Sequence, residues 1–402
     1  MVVAKPAITT LGMTAGKTKM NKLEELIKEL CPDGVEYRKL KDASIMQRGT
    51  SLTKANSIEG EFPVISGGKE PAFYCNQYNR DGETITVAGS GAGAGFVQYW
   101  TIPLFANDCF TLKAIENNST KYVYYFLTSI QNKINDTKKG GGVPHVHISD
   151  IENFEIPIPP LEVQKEIVRI LDSFTELEKE LEKELAARKK QYEYYRDSLL
   201  TFDDSVEWKT IKELFDTRNG YTPSTSNSAF WDNGTIPWFV MDDIRTNGRV
   251  LSDSKQHITP AAVKGSRLFK KNSIIVATSA TIGEHALITT DFLSNQRFTC
   301  LSPKEEFESK IDMKFIFYYS FILDDFCKNN TTVSSFASVD MRKFYDFKFP
   351  LPPLAEQERI VSILDRFDSL CNSLTSGLPA EIEARRRQYQ YYRDKLLSFK
   401  RC

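Results

Sequence analysis

A long amphipathic pattern begins at residue 161. Apolar side chains recur there at steps of three and four residues, the spacing that places them on one face of an α-helix. The members of this stripe are Ile167, Ile170, Leu171, Phe174, Leu177, Leu181, Leu185, Tyr192, Tyr195 and Leu199. Pro159 and Pro160 precede the stripe, and proline is tolerated in the first turn of a helix. The pattern predicts one helix of 42 residues (202 − 161 + 1) from Leu161 to Phe202, or roughly 60 Å at ~1.5 Å per residue.

Short β-rich runs, separated by Gly, Asn and Ser loops, occupy most of the remaining chain. They read "EFPVIS", "TITVAG" and "FVQYW" before the helix, and "TIPWFV", "SIIVAT" and "HALIT" after it. Short apolar runs bounded by turn residues favour β-strands. Each set of runs therefore predicts one mixed α/β domain.

The chain contains one sequence plan twice, which indicates an internal structural repeat. The stretch "PIPPLEVQKEIVRIL" at 157–171 corresponds to "PLPPLAEQERIVSIL" 193 positions later (350 − 157). Likewise "ARKKQYEYYRDSLLTF" corresponds to "ARRRQYQYYRDKLLSF", and more weakly "GVEYRKLKDASIMQRGTSLTKANS" to "SVEWKTIKELFDTRNGYTPSTSNS", "TITVAGSGAG" to "SIIVATSATI" and "ANDCFTL" to "SNQRFTC". The helical segments are nearly alike, whereas the globular parts have diverged. Similar helices indicate a shared packing partner or packing on each other, and different globular parts indicate two different ligands.

These patterns predict an α+β fold. Two mixed α/β domains would be separated and joined by long, antiparallel, coiled-coil-like helices in a pseudo-two-fold internal repeat. The predicted divisions are a flexible tail (1–20), domain 1 (21–153), a central helical spacer (154–202), domain 2 (203–346) and a C-terminal helical region packing on the central helix (347–402). Gly377 and Pro379 replace the tetrads "LEKELEKEL" of the first copy, so we expect a helix break near 375–379. A generic coiled-coil spacer would explain the stripe equally well.

Composition narrows the class of protein. Hydrophobic residues make up 41% and charged residues 26% of the chain, as in ordinary globular proteins. We expect no membrane association and no secretory signal, since no apolar run approaches ~20 residues and the start lacks an apolar h-region. Seven cysteines without a CxxC pair favour reduced thiols and a cytoplasmic location. The 52 basic and 53 acidic residues give no global support for nucleic-acid binding, so that function must rest on local patches.

No catalytic motif is recognisable in the sequence. "TAGKTK" lacks the first glycine of a phosphate loop, and no helical pattern follows the Gly-rich turn "GSGAGAG". His145 and His147 offer two metal ligands but no third His or Cys stands at ligand spacing. We therefore expect a non-catalytic chain that holds neither a metal nor a cofactor.

The loops of both domains carry side chains that hydrogen-bond phosphates and base edges. The DNA-binding candidates in domain 1 are Arg48, Thr50, Lys54, Ser66, Lys69, Lys138, Lys139, His145 and His147. Those in domain 2 are Arg218, Tyr221, Thr222, Ser224, Arg245, Ser279, Thr281, Gln296 and Arg297. Taken singly, each of them fits a solvated loop residue better than a DNA contact.

Several long segments resemble the specificity subunit of type I restriction-modification systems. They are "PIPPLEVQKEIVRILDSFTELEKEL", "RKKQYEYYRDSLLTF", "GLPAEIEARRRQYQYYRDKLLSF" and the "VEW…GxTPS" start of domain 2, and the likeness covers the chain from about residue 21. Domain 1 departs from the pattern at its start, with "QRGTSLT" where domain 2 has the more usual "RNGYTPS".

The resemblance implies a DNA-binding subunit that takes part in DNA methylation and in host defence against foreign DNA. Each domain would be a target recognition domain that reads one half of a bipartite, asymmetric double-stranded DNA target. Two adenine methyltransferase (M) subunits would bind the helices, and restriction (R) subunits would join them. S-adenosylmethionine, ATP and Mg would be bound in those partner subunits, not in this chain.

The helices would then have two roles, packing and spacing. The residues expected to pack the helices or contact the methyltransferase are Ile167, Leu171, Phe174, Tyr192, Tyr195, Ile360, Leu364, Phe367, Tyr389 and Tyr392. At ~3.4 Å per base pair, a helix of roughly 60 Å would span on the order of 15–20 base pairs, and its tetrads would set the gap between half-sites. The alternatives are a helical scaffold whose domains bind proteins rather than DNA, and a self-contained nuclease or methyltransferase.

Overall fold

The computed structural model describes residues 22–115, 117–332, 337–373 and 376–402. The expected flexible tail (1–20) lies outside the described residues, as does residue 375 at the start of the expected helix break.

The first globular part contains a four-stranded sheet in the order β2-β8-β5-β6, a three-stranded sheet in the order β4-β3-β7, and the pair β1-β9. Its strands are β1 (Glu36–Lys39), β2 (Ser44–Arg48), β3 (Phe62–Ile65), β4 (Phe73–Cys75), β5 (Thr84–Ala88), β6 (Val97–Trp100), β7 (Phe105–Ala106), β8 (Cys109–Ala114) and β9 (Glu155–Ile158). Its helices are α1 (22–30), α2 (Leu40–Ala43), α3 (Thr120–Ser129), α4 (Gln131–Asp136) and α5 (Ile148–Ile151). Every residue of β5 is buried, as expected for a central strand covered on both faces.

One helix follows this part, and a second globular part follows the helix. Helix α6 (Leu161–Leu199) ends three residues before the predicted end at Phe202. The next helices are α7 (Ile211–Leu214), α8 (Met241–Asn247), α9 (Met313–Asn329), α10 (Met341–Asp346), α11 (Leu354–Asn372) and α12 (Leu378–Leu396). The break between α11 and α12 confirms the expected interruption of the second helical region.

The second globular part repeats the sheets of the first. Its strands are β10 (Glu207–Thr210), β11 (Phe215–Asn219), β12 (Ile236–Phe239), β13 (Val250–Leu251), β14 (His257–Ile258), β15 (Ser273–Ala277), β16 (His285–Ile288), β17 (Leu293–Ser294), β18 (Phe298–Pro303), β19 (Thr331–Thr332), β20 (Ser338–Val339) and β21 (Lys348–Leu351). They form sheets in the orders β11-β18-β15-β16-β13 and β14-β12-β17, with the pairs β10-β21 and β19-β20. The order β11-β18-β15-β16 corresponds strand by strand to β2-β8-β5-β6. The predicted α+β fold with a repeated domain is confirmed.

The chain forms two compact units that do not follow the order of the repeat. Unit 1 comprises Met1–Lys183 and Ala380–Cys402, and unit 2 comprises Glu184–Pro379. Each unit therefore combines one globular part with helical segments from both copies. The predicted domain limits, which follow the repeat, stay predictions.

In unit 1, the start of α6 packs antiparallel to α12. The Phe174 ring centroid lies 6.5 Å from that of Tyr389 and 5.6 Å from that of Tyr392. Glu178 and Glu182, further along α6, each accept a hydrogen bond of 2.6 Å from Arg386 of α12. Residue numbers rise along α6 as they fall along α12, which makes the pair antiparallel.

Unit 2 contains the same helix pair with the copies exchanged. The Phe367 ring of α11 lies 6.4 Å from Tyr192 and 5.3 Å from Tyr195 of α6, measured between ring centroids. These tyrosines occupy the repeat positions of Tyr389 and Tyr392, 197 residues earlier (389 − 192). The tyrosine segment of each copy thus packs on the phenylalanine of the other copy.

A buried glutamine fixes each helical region to its globular part. The Gln164 side chain is fully buried; its Oε1 accepts from the Ser119 backbone N–H (2.9 Å) and its Nε2 donates to the Pro159 carbonyl (2.8 Å). In unit 2, Gln357 makes equal bonds to the Asp312 N–H (2.9 Å) and the Pro352 carbonyl (2.8 Å). These paired bonds, which we call the glutamine clamp, explain why both copies need Gln four or five residues after the two prolines.

A carboxylate about two turns after the glutamine of each helix makes a second repeated connection. Asp172 accepts from the Lys121 ammonium (2.8 Å) and from the Tyr125 hydroxyl of α3. Asp365 accepts from Lys314 (2.6 Å) and from the Tyr318 hydroxyl (2.7 Å) of α9. Burial, reinforced by the hydrogen bond to Asp172, raises the pKa of Tyr125, so this phenol stays a donor at neutral pH.

Replacing Gln164 by alanine tests the glutamine clamp. The Gln164→Ala variant leaves a buried N–H and a buried carbonyl without their partner, so we expect a loss of about 2–4 kcal/mol in the free energy of unfolding. Urea denaturation followed by circular dichroism measures this loss. Gln390→Ala, at an exposed position of α12, is the matched control and should change the free energy by less than about 0.5 kcal/mol. Equal losses for the two variants would contradict the role of the clamp.

Candidate nucleic-acid interface

A small backbone framework joins the ends of β2 and β5 to the start of β8 and to the segment before α5. The Gly49 N–H donates to the Cys109 carbonyl (2.8 Å), and the Gly89 N–H donates to the Asp108 carbonyl (3.0 Å). The Val146 N–H then donates to the Gly89 carbonyl (3.0 Å). We call the residues displayed on this framework the rim of domain 1.

Domain 2 builds the same rim. The Gly220 N–H donates to the Phe298 carbonyl (3.0 Å), the Thr278 N–H to the Arg297 carbonyl (3.0 Å), and the Val339 N–H to the Thr278 carbonyl (2.9 Å). The bridge between Ser90 and His145 in domain 1 has its counterpart between Ser279 and Ser338 in domain 2. The two rims therefore present side chains from equivalent backbone positions.

The structure corrects one correspondence drawn from the sequence. Matching "ANDCFTL" with "SNQRFTC" pairs Asp108 with Gln296, 188 positions later (296 − 108). The strands instead place Ala88 opposite Cys109 and Ala277 opposite Phe298, an offset of 189 (298 − 109). Asp108 therefore corresponds to Arg297, because strand pairing rather than local sequence similarity sets the register.

A glycine is needed directly after β2 and after β11, where the chain passes close to the neighbouring loop. A Cβ on Gly49 would lie 2.1 Å from the Asn107 carbonyl oxygen, and one on Gly220 would lie 2.2 Å from the Ser294 carbonyl oxygen. A side chain at either position would force the end of β2 or β11 away from the neighbouring loop.

Three candidates of domain 1 lie together in one groove. Arg48, His145 and His147, with Asp108, line a cavity of about 300 Å³. The two imidazole rings are almost parallel, with 6.0 Å between their centroids and 6° between their planes. The Asp108 carboxylate accepts a hydrogen bond from the Ser90 hydroxyl. The groove thus presents donors and acceptors side by side, as direct readout of base edges requires.

Lys139 is engaged inside domain 1. Its ammonium pairs with Asp150, which also accepts from the His147 backbone N–H at 2.8 Å. Burial opposes ionisation of Asp150, but the bonds from Lys139 and His147 outweigh it, so the pKa of Asp150 is lowered. The pair holds the segment before α5 in place.

The remaining candidates of domain 1 are spread over its loops. Thr50 and Lys54 are exposed, and Lys138 is half-buried. The Ser66 hydroxyl accepts from the Asn107 amide (3.0 Å). The Lys69 ammonium lies 5.3 Å from the Phe96 ring centroid.

In domain 2, two candidates carry internal contacts. Arg218 donates to the Arg267 carbonyl (2.8 Å) and lies 4.3 Å above the Phe269 ring centroid. The Tyr221 hydroxyl donates to the Ala262 carbonyl and accepts from the Lys264 N–H. These contacts fold the 260–267 turns against the start of the domain.

The other candidates of domain 2 divide between the rim and its surroundings. The exposed residues Gln296 and Arg297 lie on the rim, and Thr222 donates to the Gln296 side chain (2.6 Å). Ser279 lies on the rim, half-buried, through its bridge to Ser338. The three others make local contacts or are enclosed: the Ser224 hydroxyl shares a hydrogen bond with Ser226, Arg245 pairs with Glu284 at 3.4 Å, and the Thr281 hydroxyl is buried.

The ten residues expected to pack the helices or contact the methyltransferase are packed inside their own units. Ile167, Leu171, Ile360 and Leu364 are at most 1% exposed. The aromatic residues of the set pair with one another across the helices, as described for Phe174 and Phe367. The opposite face of each helix is exposed, as Tyr194 and Tyr391 show.

Sequence reasoning missed two kinds of residue. Tyr194 and Tyr391 occupy equivalent repeat positions (391 − 194 = 197) and are 69% and 63% exposed; the apolar stripe does not include them. Asp108 is the second case, since it is not among the candidates drawn from the loops of domain 1. The equivalence of Asp108 with the candidate Arg297 becomes visible only when the backbone hydrogen bonds of the two rims are compared.

Among the described residues, no group of three or more His, Cys, Asp and Glu side chains could hold a metal ion. No helix in the same part of the chain is long and apolar enough to cross a membrane.

Comparison with known proteins places both copies of the repeat in one family. The type I restriction modification DNA specificity domain matches residues 32–187 and 204–384. The EcoR124I/EcoR124II specificity subunit of Escherichia coli is 37% identical over 414 residues, which cover 95% of this chain and 98% of that protein. The EcoprrI specificity subunit of the same species is 56% identical over 202 residues, or 48% of this chain and 50% of that protein.

A solved structure supports the fold. The crystal structure of the type I restriction-modification system S subunit from M. genitalium gives a TM-score of 0.56 at 17% identity, covering 91% of this chain and 97% of that one. Because the family domain matches both copies and a relative 37% identical covers almost the whole chain, this chain belongs to the type I restriction-modification specificity subunits.

Proposed function

We propose that this chain is a non-catalytic subunit that reads a bipartite, asymmetric double-stranded DNA target. Domain 1 reads one half-site and domain 2 reads the other. The observation that carries this proposal is the shared rim, since one backbone framework displays two different sets of polar side chains.

The rims differ at each of three equivalent positions. Arg48 of domain 1 stands where domain 2 has Asn219, by the alignment of β2 with β11. Asp108 corresponds to Arg297, and His145 to Ser338. Side chains with different donors and acceptors recognise different base edges. Two domains that share a backbone framework but differ in these side chains are therefore suited to recognise two different half-sites.

The helices support a proposal about partners. The exposed face of α6 carries Lys190, Tyr194 and Asp197, and the equivalent face of α12 carries Arg387, Tyr391 and Asp394. Each exposed tyrosine meets its neighbouring tyrosine edge-on, at 74° in both copies. Tyr194 and Tyr391 are nonetheless 69% and 63% exposed, and exposed aromatic residues often anchor interfaces. A face present twice in one chain suits two copies of one partner, and we assign it to two methyltransferase subunits.

The remaining steps belong to other chains in this proposal. Methyl transfer, ATP hydrolysis and cleavage take place in the methyltransferase and restriction subunits, which bind S-adenosylmethionine, ATP and Mg. This chain supplies the target sequence and the assembly surface. The complex works in the cytoplasm, on DNA entering the cell.

Genome-wide adenine methylation tests the function. A host free of adenine methylation would express this chain with its neighbouring methyltransferase gene, and a control would omit this chain. We expect one split motif with a fixed gap, present only when this chain is present. A soluble complex that produces no new methylation would contradict DNA reading and favour the protein-binding scaffold.

A longer helix tests whether α6 sets the gap between half-sites. Inserting "LEKE" after Leu185 adds four residues, or ~6 Å of helix, so we expect the gap to grow by one or two base pairs with both half-sites unchanged. Methylation mapping reads the gap directly. Exchanging the exposed neighbours Lys179 and Glu180 keeps the length and should keep the gap. A changed half-site, or an unchanged gap after insertion, would contradict the ruler role.

Truncating the two exposed tyrosines tests the partner face. The double variant Tyr194→Ala and Tyr391→Ala removes both anchors, so we expect affinity for the methyltransferase subunit to fall about 30-fold or more per site, the cost of losing a hot-spot residue. Calorimetric titration of this chain with the purified subunit measures the affinity. Glu193→Ala with Gln390→Ala, at the adjacent exposed positions, is the matched control. Equal affinities for the two double variants would show that the tyrosines are not the anchors.

A further inference from the structure

The two rims carry opposite charges at one equivalent position. The Asp108 carbonyl accepts the N–H of Gly89, the residue after β5, and the Arg297 carbonyl accepts the N–H of Thr278, the residue after β15. Both residues immediately precede their strand, β8 or β18. The two side chains therefore start from equivalent backbone positions. One ends in a carboxylate and the other in a guanidinium.

The Asp108 side chain is exposed but held in orientation. One oxygen, Oδ2, accepts from the Ser90 hydroxyl, and Ser90 is itself fixed by its bridge to His145. The second oxygen, Oδ1, has no hydrogen-bond donor in the part of the chain that the structure describes. No ion pair neutralises Asp108 within those same residues. The carboxylate thus points an available acceptor into the groove that Arg48 and His147 also line.

The Arg297 side chain is also exposed, and its backbone is bonded on both sides. Its N–H donates to the Asn295 side chain (3.0 Å), and its carbonyl accepts from Thr278 (3.0 Å). The neighbouring Gln296 is tied to Thr222 (2.6 Å). The guanidinium therefore extends from a rigid base.

A carboxylate at a DNA interface has a narrow set of partners. It cannot donate, and phosphates repel it, so it does not contact the DNA backbone. In the major groove it accepts from an exocyclic amino group, above all N4 of cytosine. An arginine at the same place has the opposite preference, since it donates two hydrogen bonds to O6 and N7 of guanine.

We propose that Asp108 and Arg297 are equivalent specificity-determining residues of the two domains, with opposite hydrogen-bonding sense. Asp108 selects cytosine at one position of the half-site read by domain 1. Arg297 selects guanine at one position of the half-site read by domain 2. This inference rests on the proposed function and adds to it the class of base read at one position of each half-site.

The test uses the full chain, co-expressed with its methyltransferase, and maps adenine methylation. We expect Asp108→Asn to relax or change one cytosine position in one half-site, since an amide can donate to other bases. We expect Arg297→Gln to relax one guanine position in the other half-site. In both cases the remaining positions and the gap stay as they are. Discrimination at the affected position should fall on the order of tenfold to a hundredfold.

Two controls lie at the starts of β5 and β15, the strands whose far ends are bonded to Asp108 and Arg297. Asp81→Asn is at the exposed turn before β5, and Lys271→Gln is at the exposed turn before β15. Both should leave every position of the motif unchanged.

The outcomes separate this inference from the function it rests on. If the unmodified chain gives no split motif, the proposed function fails. If it gives one and Asp108→Asn and Arg297→Gln both leave it intact, or each alters both half-sites, this inference fails. If a variant forms the complex but methylates nothing, DNA binding is measured instead. The probes are four duplexes that carry the four possible base pairs at the cytosine or guanine position assigned to that residue. A preference among those duplexes equal to that of the unmodified complex would overturn the assignment.

Discussion

Two buried glutamines connect the repeated helices to the parts that differ. Gln164 and Gln357 each bind a proline carbonyl at the start of a helix and a backbone N–H at the first residue before another helix, α3 or α9. Such groups must be satisfied when they are buried, so the glutamines fix the position of each globular part against its helix. The same hydrogen bonds are thereby made twice, so two diverged domains are attached to their helices in the same way.

Aromatic contacts connect the two copies of the repeat to each other. Phe174 packs on tyrosines of the second copy, and Phe367 packs on tyrosines of the first. Each unit is therefore complete only with a segment from the other half of the chain. This exchange explains why the helical sequences stay alike, since a change in either copy must suit a partner in the other. The rims lie outside that constraint, and their side chains are free to diverge.

The sequence was informative where periodicity determines structure. The stripe from Leu161 predicted α6 almost to its end, and Gly377 with Pro379 predicted the break before α12. The equivalent residues of the two rims were harder to predict from the sequence, because the strands are short. A one-residue change of register there assigns every side chain to a different counterpart. The match of Asp108 with Gln296 was wrong for that reason. The stripe likewise located the packed helix face but gave no sign of Tyr194 and Tyr391, which depend on what another protein presents.

The central claim is that one framework reads different sequences through its side chains alone. The most direct measurement is the methylated motif of a chain in which residues 34–153 are copied in place of residues 205–346, an exchange between positions that the repeat makes equivalent. The account predicts a target composed of the same half-site twice, namely the half-site of domain 1, with the original half-site of domain 2 lost. A motif that retains the original second half-site, despite the loss of domain 2, would contradict it.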